Sequence, residues 1–394
     1  MVKPGYKQTE IGVIPEDWDS INLYEIGTFS KGKGIKKTDV VENGLPCIRY
    51  GELYTHYDDV IRKFYSHIPY EIALGSKKLK KGDILFAGSG ETAEEIGKCA
   101  AYVGDEEAYA GGDIVIFTPI DQDEMYLGYL LNSHVTMKQK ERLGQGDAVV
   151  HISSSSLGQL IVPIPPLPEQ KAIASTLNDV DALIGSLERL IAKKRDIKRA
   201  TMQELLTGRR RLPGFEGDWT IKKLGEIARI KTGSRNNQDK TEDGEYPFFV
   251  RSATVERIGS YSYDCEAILI PGEGGIGTIY HYINGRFDVH QRVYAITDFS
   301  DYVSTRFVYY YLMNFFGRHA MQNTVKATVD SLRLPTFQNF ELSLPKTIEE
   351  QEAIANMLSN MDTGLAALDN KLAKARLIKQ GMMQELLTGR IRLI

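Results

Sequence analysis

A long internal repeat constrains this chain more than any other feature of its 394 residues. Residues 169–209 and 350–390 align without a gap at an offset of 181, and 21 of these 41 positions are identical. The last eight residues of the two copies, 202–209 and 383–390, agree letter for letter. A repeat of this kind predicts two structurally equivalent segments within one chain.

Both copies have the apolar spacing of a long helix. Apolar residues recur in steps of four and three, which is a heptad seam suited to a partner helix. Prolines up to Pro168 set the start of the first helix, and Gly208 and Gly389 are natural stops. A helix over residues 169–206 would be about 57 Å long. We expect the two helices to form an antiparallel coiled coil; the alternative is that each seam packs on its own globular neighbour. The seam residues are Ile173, Leu177, Val180, Ile184, Leu187 and Ile191, and then Ile354, Leu358, Met361, Leu365, Leu368 and Leu372.

The regions that precede the two helices also repeat, more weakly. Asp17-Trp18 opens the first region and Asp218-Trp219 the second, and these are the only two tryptophans of the chain. Strand-like runs, a Gly-rich turn and a helix-like segment follow in each region, which predicts an α/β (α+β) fold. The second helix ends where a third region would begin, which predicts a pseudo-twofold, circular arrangement with residue 394 close to residue 1. The predicted order is a globular domain at 1–165, a helix at 166–212, a globular domain at 213–346 and a helix at 347–394.

Composition excludes several classes of protein. An apolar fraction of 42% is ample for packed cores, and the length calls for two or more domains. Three widely separated cysteines, Cys47, Cys99 and Cys265, suit reduced thiols of a cytosolic protein. No apolar signal segment opens the chain, and no run is long enough to cross a membrane. We therefore expect a soluble, cytoplasmic protein with no membrane partner.

The net charge argues against a strongly basic nucleic-acid binder. The formal charge is -4, from 48 basic and 52 acidic side chains. Residues 1–168 carry 17 basic and 24 acidic side chains, and residues 169–211 carry 10 and 6. Residues 212–348 carry 15 and 16, and residues 349–394 carry 6 and 6. Any DNA-binding surface must therefore be local, and the chain alone should bind DNA weakly.

No catalytic motif is supported by the sequence. A GxGxxG pattern begins at Gly272, but β-branched and aromatic residues follow it where a dinucleotide-binding turn would open a helix. We predict two strands around a Gly-rich turn, with Asn284-Gly285 as a further hairpin turn. No phosphate-binding GxxxxGK[ST] loop and no zinc spacing is present. We expect no catalytic residues, no metal and no cofactor in this chain.

Several polar residues are candidates for contacts to DNA. Basic runs follow the Trp segment in both regions, and an arginine ends an apparent strand in each. Lysine and arginine neutralise phosphates, and arginine also pairs with guanine. The alternatives are a solvated surface for the basic runs, a surface salt bridge for each arginine and a structural strand pair for His290 and Gln291. The candidates are Lys31, Lys33, Lys36, Lys37, Arg49 and Ser89, and then Lys231, Ser234, Arg235, Asn236, Arg251, His290 and Gln291.

Together these features resemble a known family. The order of two divergent domains, each followed by a repeated helix, is similar to the specificity subunit of a type I restriction-modification system. The resemblance covers essentially the whole chain, and its most specific part is the paired helix ends at 202–209 and 383–390. The segment around Trp18, residues 82–85 and the proline-rich helix entry at 163–170 also carry it. The second helix entry, at 345–351, departs from the pattern in having fewer prolines.

The resemblance implies a function. Each globular domain would be a target-recognition domain that reads one half of a bipartite double-stranded DNA target. The helices would act as spacers that hold the domains apart and dock two modification (methyltransferase) subunits. A restriction (motor-nuclease) subunit can then join. S-adenosylmethionine, ATP and Mg would belong to these partner subunits, so that the chain itself is not an enzyme.

One alternative comes from a different class of protein. The chain could be an interaction scaffold that dimerises through its helices and does not bind DNA. Gel-shift assays of the assembled complex at several salt concentrations separate the two hypotheses, because phosphate neutralisation makes DNA affinity fall steeply with salt.

Overall fold

The computed structural model describes residues 2–146, 149–323 and 331–393. They form two compact units: unit 1 comprises residues 1–187 and 371–394, and unit 2 comprises residues 188–370. Each unit contains one globular region, the first part of the long helix that follows it and the last part of the other long helix.

Unit 1 combines short strands with short helices before its long helix begins. The strands are β1 Tyr6–Thr9, β2 Gly12–Pro15, β3 Asp19–Asn22, β4 Gly27–Lys31, β5 Leu45–Ile48, β6 Val60–Ile61, β7 Ser66–Ile68, β8 Lys77–Lys78, β9 Ile84–Ala87, β10 Ser89–Gly90, β11 Cys99–Tyr102, β12 Tyr109–Ala110, β13 Ile114–Pro119, β14 Val150–His151 and β15 Ile161–Ile164. The helices are α1 Tyr50–Thr55, α2 Tyr70–Ala73, α3 Glu124–Leu130, α4 His134–Leu143, α5 Ser154–Gly158 and the long α6 Leu167–Leu205, whose second half belongs to unit 2.

Unit 2 has longer strands and a longer helix in its globular part. Its strands are β16 Thr220–Lys223, β17 Arg229–Thr232, β18 Tyr246–Phe249, β19 Val255–Ile258, β20 Tyr263–Pro271, β21 His281–Val289, β22 Val293–Thr297 and β23 Glu341–Leu344. Its helices are α7 Leu224–Ile227, α8 Thr305–Gln322, α9 Leu334–Gln338 and the long α10 Ile348–Leu386, whose last part belongs to unit 1.

Each of the two globular parts has its own central sheet of mixed parallel and antiparallel strands. In unit 1 the strand order is β4-β13-β9-β11-β6, next to a four-stranded sheet ordered β7-β5-β12-β8. In unit 2 one sheet is ordered β17-β22-β20-β21-β18-β19. The antiparallel series β4-β13-β9 corresponds to β17-β22-β20, and the pair β3-β15 corresponds to β16-β23. The weak sequence repeat therefore reflects two copies of one fold.

The Gly-rich segment joins two strands, as predicted. β20 and β21 pair antiparallel on either side of residues 272–277. The predicted turn at Asn284-Gly285 is wrong, because both residues lie within β21 and pair with Glu266 and Cys265 of β20. The φ angle of Gly285 is +134°, which glycine adopts without steric cost. The strand thus continues through a residue pair that usually marks a turn.

The first turns of both long helices belong to the globular cores. Ile173 and Leu177 are fully buried in the core that contains Trp18, together with Leu386 and Leu387 from the end of α10. In unit 2, Ile354 and Leu358 lie in one core with Leu205 and Leu206 from the end of α6. Packing of the seam on a globular neighbour, the alternative to helix pairing, is therefore correct for these positions.

Within each unit the two helix segments run antiparallel, as predicted. In unit 1, Asp181 of α6 pairs with Lys379 of α10 at 2.7 Å, while Glu169 lies 2.7 Å from Arg392 just beyond α10. In unit 2, Lys198 pairs with Asp362, and Arg195 with Asp369 at 3.1 Å. In both units, residues further along α6 pair with residues closer to the start of α10, which is the pattern of antiparallel helices.

The ends of the chain meet in unit 1. The Tyr6 hydroxyl donates a hydrogen bond to the carbonyl of Gly389 at 3.1 Å, and Arg392 contacts Asp17 at 2.7 Å. In unit 2 the equivalent Arg211 is joined covalently, through a short loop, to the segment of Trp219. Segments near the two ends of the described chain therefore meet within unit 1.

Among the helices of the described ranges, none is long and apolar enough to span a membrane.

Candidate nucleic-acid interface

One edge of the unit 2 sheet collects many of the predicted DNA-contacting residues. The segment after β17 passes beside the segment that joins β21 to β22. Arg235 accepts a backbone hydrogen bond from Gln291 at 2.8 Å and donates one to Val289 at 3.3 Å. The side chains of Gln291 and Asn236 are also hydrogen-bonded to each other. The fold thus joins two sequence candidates that lie 55 residues apart.

A glycine makes this close passage possible. A Cβ atom at Gly233 would lie 1.9 Å from the carbonyl oxygen of Val289. Gly32 of unit 1 is in the same situation, with the Gly111 oxygen at 1.9 Å. Because no side chain fits there, glycine recurs within both basic runs for a structural reason.

Three arginines are held at this edge by two carboxylates. Arg292 lies 3.0 Å from Glu273, and Arg251 lies 3.6 Å from the other oxygen of the same carboxylate. Arg235 pairs with the buried Asp288 at 3.0 Å. All three arginine side chains keep substantial exposure, at 57%, 45% and 38% for Arg292, Arg251 and Arg235. The edge thus exposes guanidinium groups whose orientation is set by their ion pairs with Glu273 and Asp288.

His290 lies beneath this surface. It is only 4% exposed, and its Nδ1 atom accepts a hydrogen bond from the backbone N–H of Arg292 at 3.0 Å. Burial, with smaller contributions from Arg251 and Arg292, lowers the pKa of His290. The neutral imidazole therefore supports the backbone of Arg292. His290 thus has a structural position, which was the alternative to a DNA contact.

The other unit 2 candidates lie around the same edge. Lys231 is exposed at the end of β17, and Ser234 is exposed two residues before Asn236. Arg292 and Glu273 were missed by the sequence analysis. Arg292 directly follows the candidates His290 and Gln291, and Glu273 lies within the Gly-rich segment, which the sequence analysis interpreted as a structural turn between two strands. Its position beside these candidates could have suggested Arg292. Glu273 could be recognised only from the folded sheet, which brings it to the two arginines.

Unit 1 arranges its candidates differently. Lys31, Lys33, Lys36 and Lys37 are exposed in and after β4. Arg49 instead pairs with the buried Glu52 at 3.1 Å and is 28% exposed, which fits the salt-bridge alternative. Ser89 is 8% exposed, and its hydroxyl lies 2.9 Å from Nδ1 of His151.

Matching hydrogen bonds allow the two edges to be compared residue by residue. The N–H of Gly88 donates to the carbonyl of Asp113 at 2.7 Å, and the N–H of Gly272 donates to that of Arg292 at 2.8 Å. Asp113 of unit 1 therefore occupies the position of Arg292, and Ser89, which follows Gly88, occupies that of Glu273. Unit 1 lacks the pair of guanidinium groups on one carboxylate at these positions.

No group of three or more His, Cys, Asp or Glu side chains suited to a metal ion occurs within the described ranges.

Comparison with known proteins gives the class. A family model for the type I restriction modification DNA specificity domain matches the chain twice, over residues 15–194 and 216–375. The chain belongs to this family. It is accordingly a sequence-specific DNA recognition subunit of the type I restriction-modification kind.

Individual relatives agree over almost their full length. The chain is 27% identical to the MjaX type I specificity subunit of Methanocaldococcus jannaschii, over 98% of this chain and 96% of that protein. It is 24% identical to the MjaVIII specificity subunit of the same organism, over 96% and 94%. Among solved structures, a type I S subunit from M. genitalium has a TM-score of 0.67 at 17% identity, over 94% of this chain and 96% of that one. A chain from a study of assembly and conformational transition of the type I R-M system has a TM-score of 0.57 at 18% identity, over 96% and 99%.

Proposed function

We propose that each globular region reads one half of a bipartite DNA target, and that the long helices set the distance between the half-sites and dock two modification subunits. The chain itself performs no catalysis. S-adenosylmethionine, ATP and Mg act in the partner subunits, a restriction subunit joins the assembly, and the complex works in the cytoplasm.

The observation that carries the DNA-reading part is the duplicated fold with two different edges. Both units contain the same antiparallel strand series, and both bring a basic segment against a neighbouring backbone segment at a glycine. The exposed side chains at that place differ between the units. Shared scaffolds with different polar edges suit two readers of different sequences, since base edges specify and phosphates position.

The docking part rests on the identical ends of the two helices. Met202, Leu205 and Leu206 are buried in the core of unit 2, which explains their repetition. The exposed Gln203 and Arg209 are not needed for that core, yet they recur as Gln384 and Arg390.

These exposed residues line a groove in each unit. In unit 1 a groove of about 630 Å³ includes Gln384, Thr388 and Arg390 beside the start of α4. In unit 2 a groove of about 270 Å³ includes the equivalent Gln203, Thr207 and Arg209 beside α8. Two grooves with the same surface residues suit two copies of one partner.

The deciding experiment is co-expression of the chain with its modification subunit, followed by sequencing of methylated bases in the host DNA. We expect methylation within a split motif of two short half-sites at a constant gap. The modification subunit expressed alone serves as the control and should leave that motif unmethylated. Absence of any split motif, with a folded complex present, would exclude this function and favour the scaffold.

The docking sites are tested separately. The double variant Arg209→Glu and Arg390→Glu should weaken association with the modification subunit at least about tenfold, because arginines at interfaces often contribute more than 1 kcal/mol each. Titration calorimetry measures the affinity. The double variant Arg142→Glu and Arg229→Glu, at one exposed arginine of each unit outside both grooves, is the control with the same charge change. Equal affinities for the double variant and the unmodified chain would place the partner elsewhere.

A further inference from the structure

We propose that Arg251 and Arg292, oriented by Glu273, read guanine in the half-site that unit 2 recognises, and that unit 1 reads its half-site without such a pair. This inference rests on the proposed function and adds to it the bases recognised and the residues responsible.

The two guanidinium groups share one carboxylate and are both accessible. Arg292 and Arg251 lie 3.0 and 3.6 Å from the two oxygens of Glu273, whose side chain is 20% exposed. Arginine has five N–H donors, so each guanidinium retains donors for a second partner. One carboxylate that holds two guanidinium groups also keeps them side by side.

The backbone beneath Arg292 is fixed on both sides of its Cα atom. Its N–H donates to Nδ1 of the buried His290 at 3.0 Å, and its carbonyl accepts from Gly272 at 2.8 Å. β22 begins at the next residue and is paired along its length with β20 and β17. Glu273 is itself bridged to Ser331. Arg292 therefore approaches a ligand from a rigid platform, which reduces the entropy lost on binding.

The chemistry of a held, exposed guanidinium favours guanine. Two parallel N–H donors match the O6 and N7 acceptors that guanine presents in the major groove, and no other base offers that pair. Lysine at the same place would supply charge without the fork. A phosphate contact needs no orienting carboxylate, and Glu273 beside the pair would reduce its attraction to phosphate.

Unit 1 has a different chemistry at the matching positions. Ser89 takes the place of Glu273 and bonds to His151, and Asp113 takes the place of Arg292. Arg49, the arginine at the end of β5, is turned to the buried Glu52. The two halves of the target should therefore differ, and the guanine dependence assigned to this pair should occur in one half only.

The experiment uses the full chain with its modification subunit and a plasmid library in which both half-sites are randomised. Methylation of each sequence is read by sequencing. In Arg292→Ala and in Arg251→Ala the preference for guanine at one position should fall by roughly 5- to 150-fold, equivalent to about 1–3 kcal/mol. The other half-site should remain as selective as before, which also shows that the complex is folded.

Two further variants make the result decisive. Arg292→Lys retains the positive charge beside Glu273, so that the fold is preserved, but it cannot form the bidentate contact; it should relax the same guanine position. Arg286→Ala is the matched control, because Arg286 is an exposed arginine of unit 2 that pairs with Asp264 at 3.0 Å. It should leave the motif unchanged.

Other outcomes overturn the inference. Unchanged base preference in Arg292→Lys and Arg251→Ala would show that the pair is structural only. Equal loss of methylation for all sequences would indicate phosphate contacts. If the unmodified complex methylates no split motif, the proposed function fails first, and that result is distinct from a split motif that ignores these arginines.

Discussion

At the scale of single residues, the two tryptophans explain why the ends of the long helices recur. In unit 1, Nε1 of the buried Trp18 donates to Glu169 at 2.9 Å, and Arg392 contacts the same carboxylate at 2.7 Å. The Arg392 guanidinium also lies 5.7 Å from the centre of the Trp18 ring. In unit 2, Arg211 and Glu350 are joined by two hydrogen bonds, and the Arg211 guanidinium lies 5.8 Å from the centre of the Trp219 ring. Unit 2 repeats the arrangement only in part, because Nε1 of Trp219 has no hydrogen-bond partner among the described residues.

Arg392→Ala should destabilise unit 1. Glu169 is only 3% exposed, so removal of its partner leaves a buried charge, at a cost of roughly 3 kcal/mol. Urea unfolding followed by tryptophan fluorescence measures this in a Trp219→Phe background, where Trp18 reports on unit 1 alone.

Arg390→Ala provides the control for that measurement. Its salt bridge with Glu385 is exposed and should contribute less than about 1 kcal/mol. Equal losses in the two variants would contradict a role for the buried carboxylate.

His290 makes unit 2 sensitive to acid. Its lowered pKa means that the unfolded chain takes up a proton below about pH 6.5 while the folded chain resists it. Its contribution is therefore fully present above that pH and is lost as the pH falls through the lowered value. We expect unit 2 to unfold at a lower urea concentration at pH 5.5 than at pH 7.5. The difference between the two midpoints should be smaller in His290→Gln. Parallel pH dependence in the two proteins would assign the effect to other groups, of which His281, also with a pKa lowered by burial, is the first to test.

At the scale of elements, a second repeated set of contacts joins the long helices to the globular parts. In unit 1, Asp181 accepts a hydrogen bond from Tyr129 at 2.7 Å and pairs with Lys379. In unit 2, Asp362 accepts from Tyr310 at 2.8 Å and pairs with Lys198. Each set connects a globular helix, the start of one long helix and the end of the other. This explains why both aspartates and both lysines recur at an offset of 181.

The two lysines should differ in importance. Lys379 is 15% exposed and also pairs with Asp59, which is 9% exposed, whereas the partner of Lys198 is 42% exposed. Lys379→Met should cost roughly 3 kcal/mol because two carboxylates lose their counter-charge in a buried place. Lys198→Met should cost about 1 kcal/mol or less.

Urea unfolding of the full chain measures both changes. Lys379→Met is measured in a Trp219→Phe background, where Trp18 reports on unit 1, and Lys198→Met in a Trp18→Phe background, where Trp219 reports on unit 2. The exposed Lys374→Met is the control on the same helix as Lys379. A larger effect in Lys198→Met than in Lys379→Met would contradict the burial argument.

At the scale of the whole molecule, charge is distributed against strong binding of DNA by the chain alone. Residues 1–168 have a net charge of -7 and residues 212–348 a net charge of -1, while residues 169–211 carry +4. Non-specific affinity comes chiefly from phosphate neutralisation. The structure agrees with a local interface, since three arginines at the unit 2 edge are already partly neutralised by Glu273 and Asp288.

The isolated chain should therefore bind random duplex DNA at the weak end of the usual non-specific range, with a Kd near about 10⁻⁴ M at physiological salt. Fluorescence anisotropy of a labelled duplex between 50 and 200 mM salt measures both affinity and salt dependence. Addition of the modification subunit should tighten binding and steepen the salt dependence. Submicromolar, steeply salt-dependent binding by the chain alone would contradict the charge argument.

Sequence reasoning identified the repeat, the two helices, the fold class and the basic segments because each is a local pattern in the chain. Periodicity places Ile173 and Ile354 on an apolar face regardless of what covers it. It could not show whether that face meets a helix or a globular core, and the fold uses both. The Asn284-Gly285 pair illustrates the same limit, since pairing with β20 overrode a local turn preference.

The candidate site depended more on tertiary structure. Lys231, Ser234, Arg235 and Asn236 were recognisable from composition, and they do lie near the sheet edge. Glu273 and Arg292 gain their meaning only from the sheet, which brings Arg251 and Arg292 to one carboxylate from separate strand ends. His290 shows the converse, because burial turned a candidate DNA contact into a support for Arg292. Sequence by itself determined that the chain is built twice from one plan; the tertiary structure decided which charges meet, because ion pairing depends on distances between segments far apart in the chain.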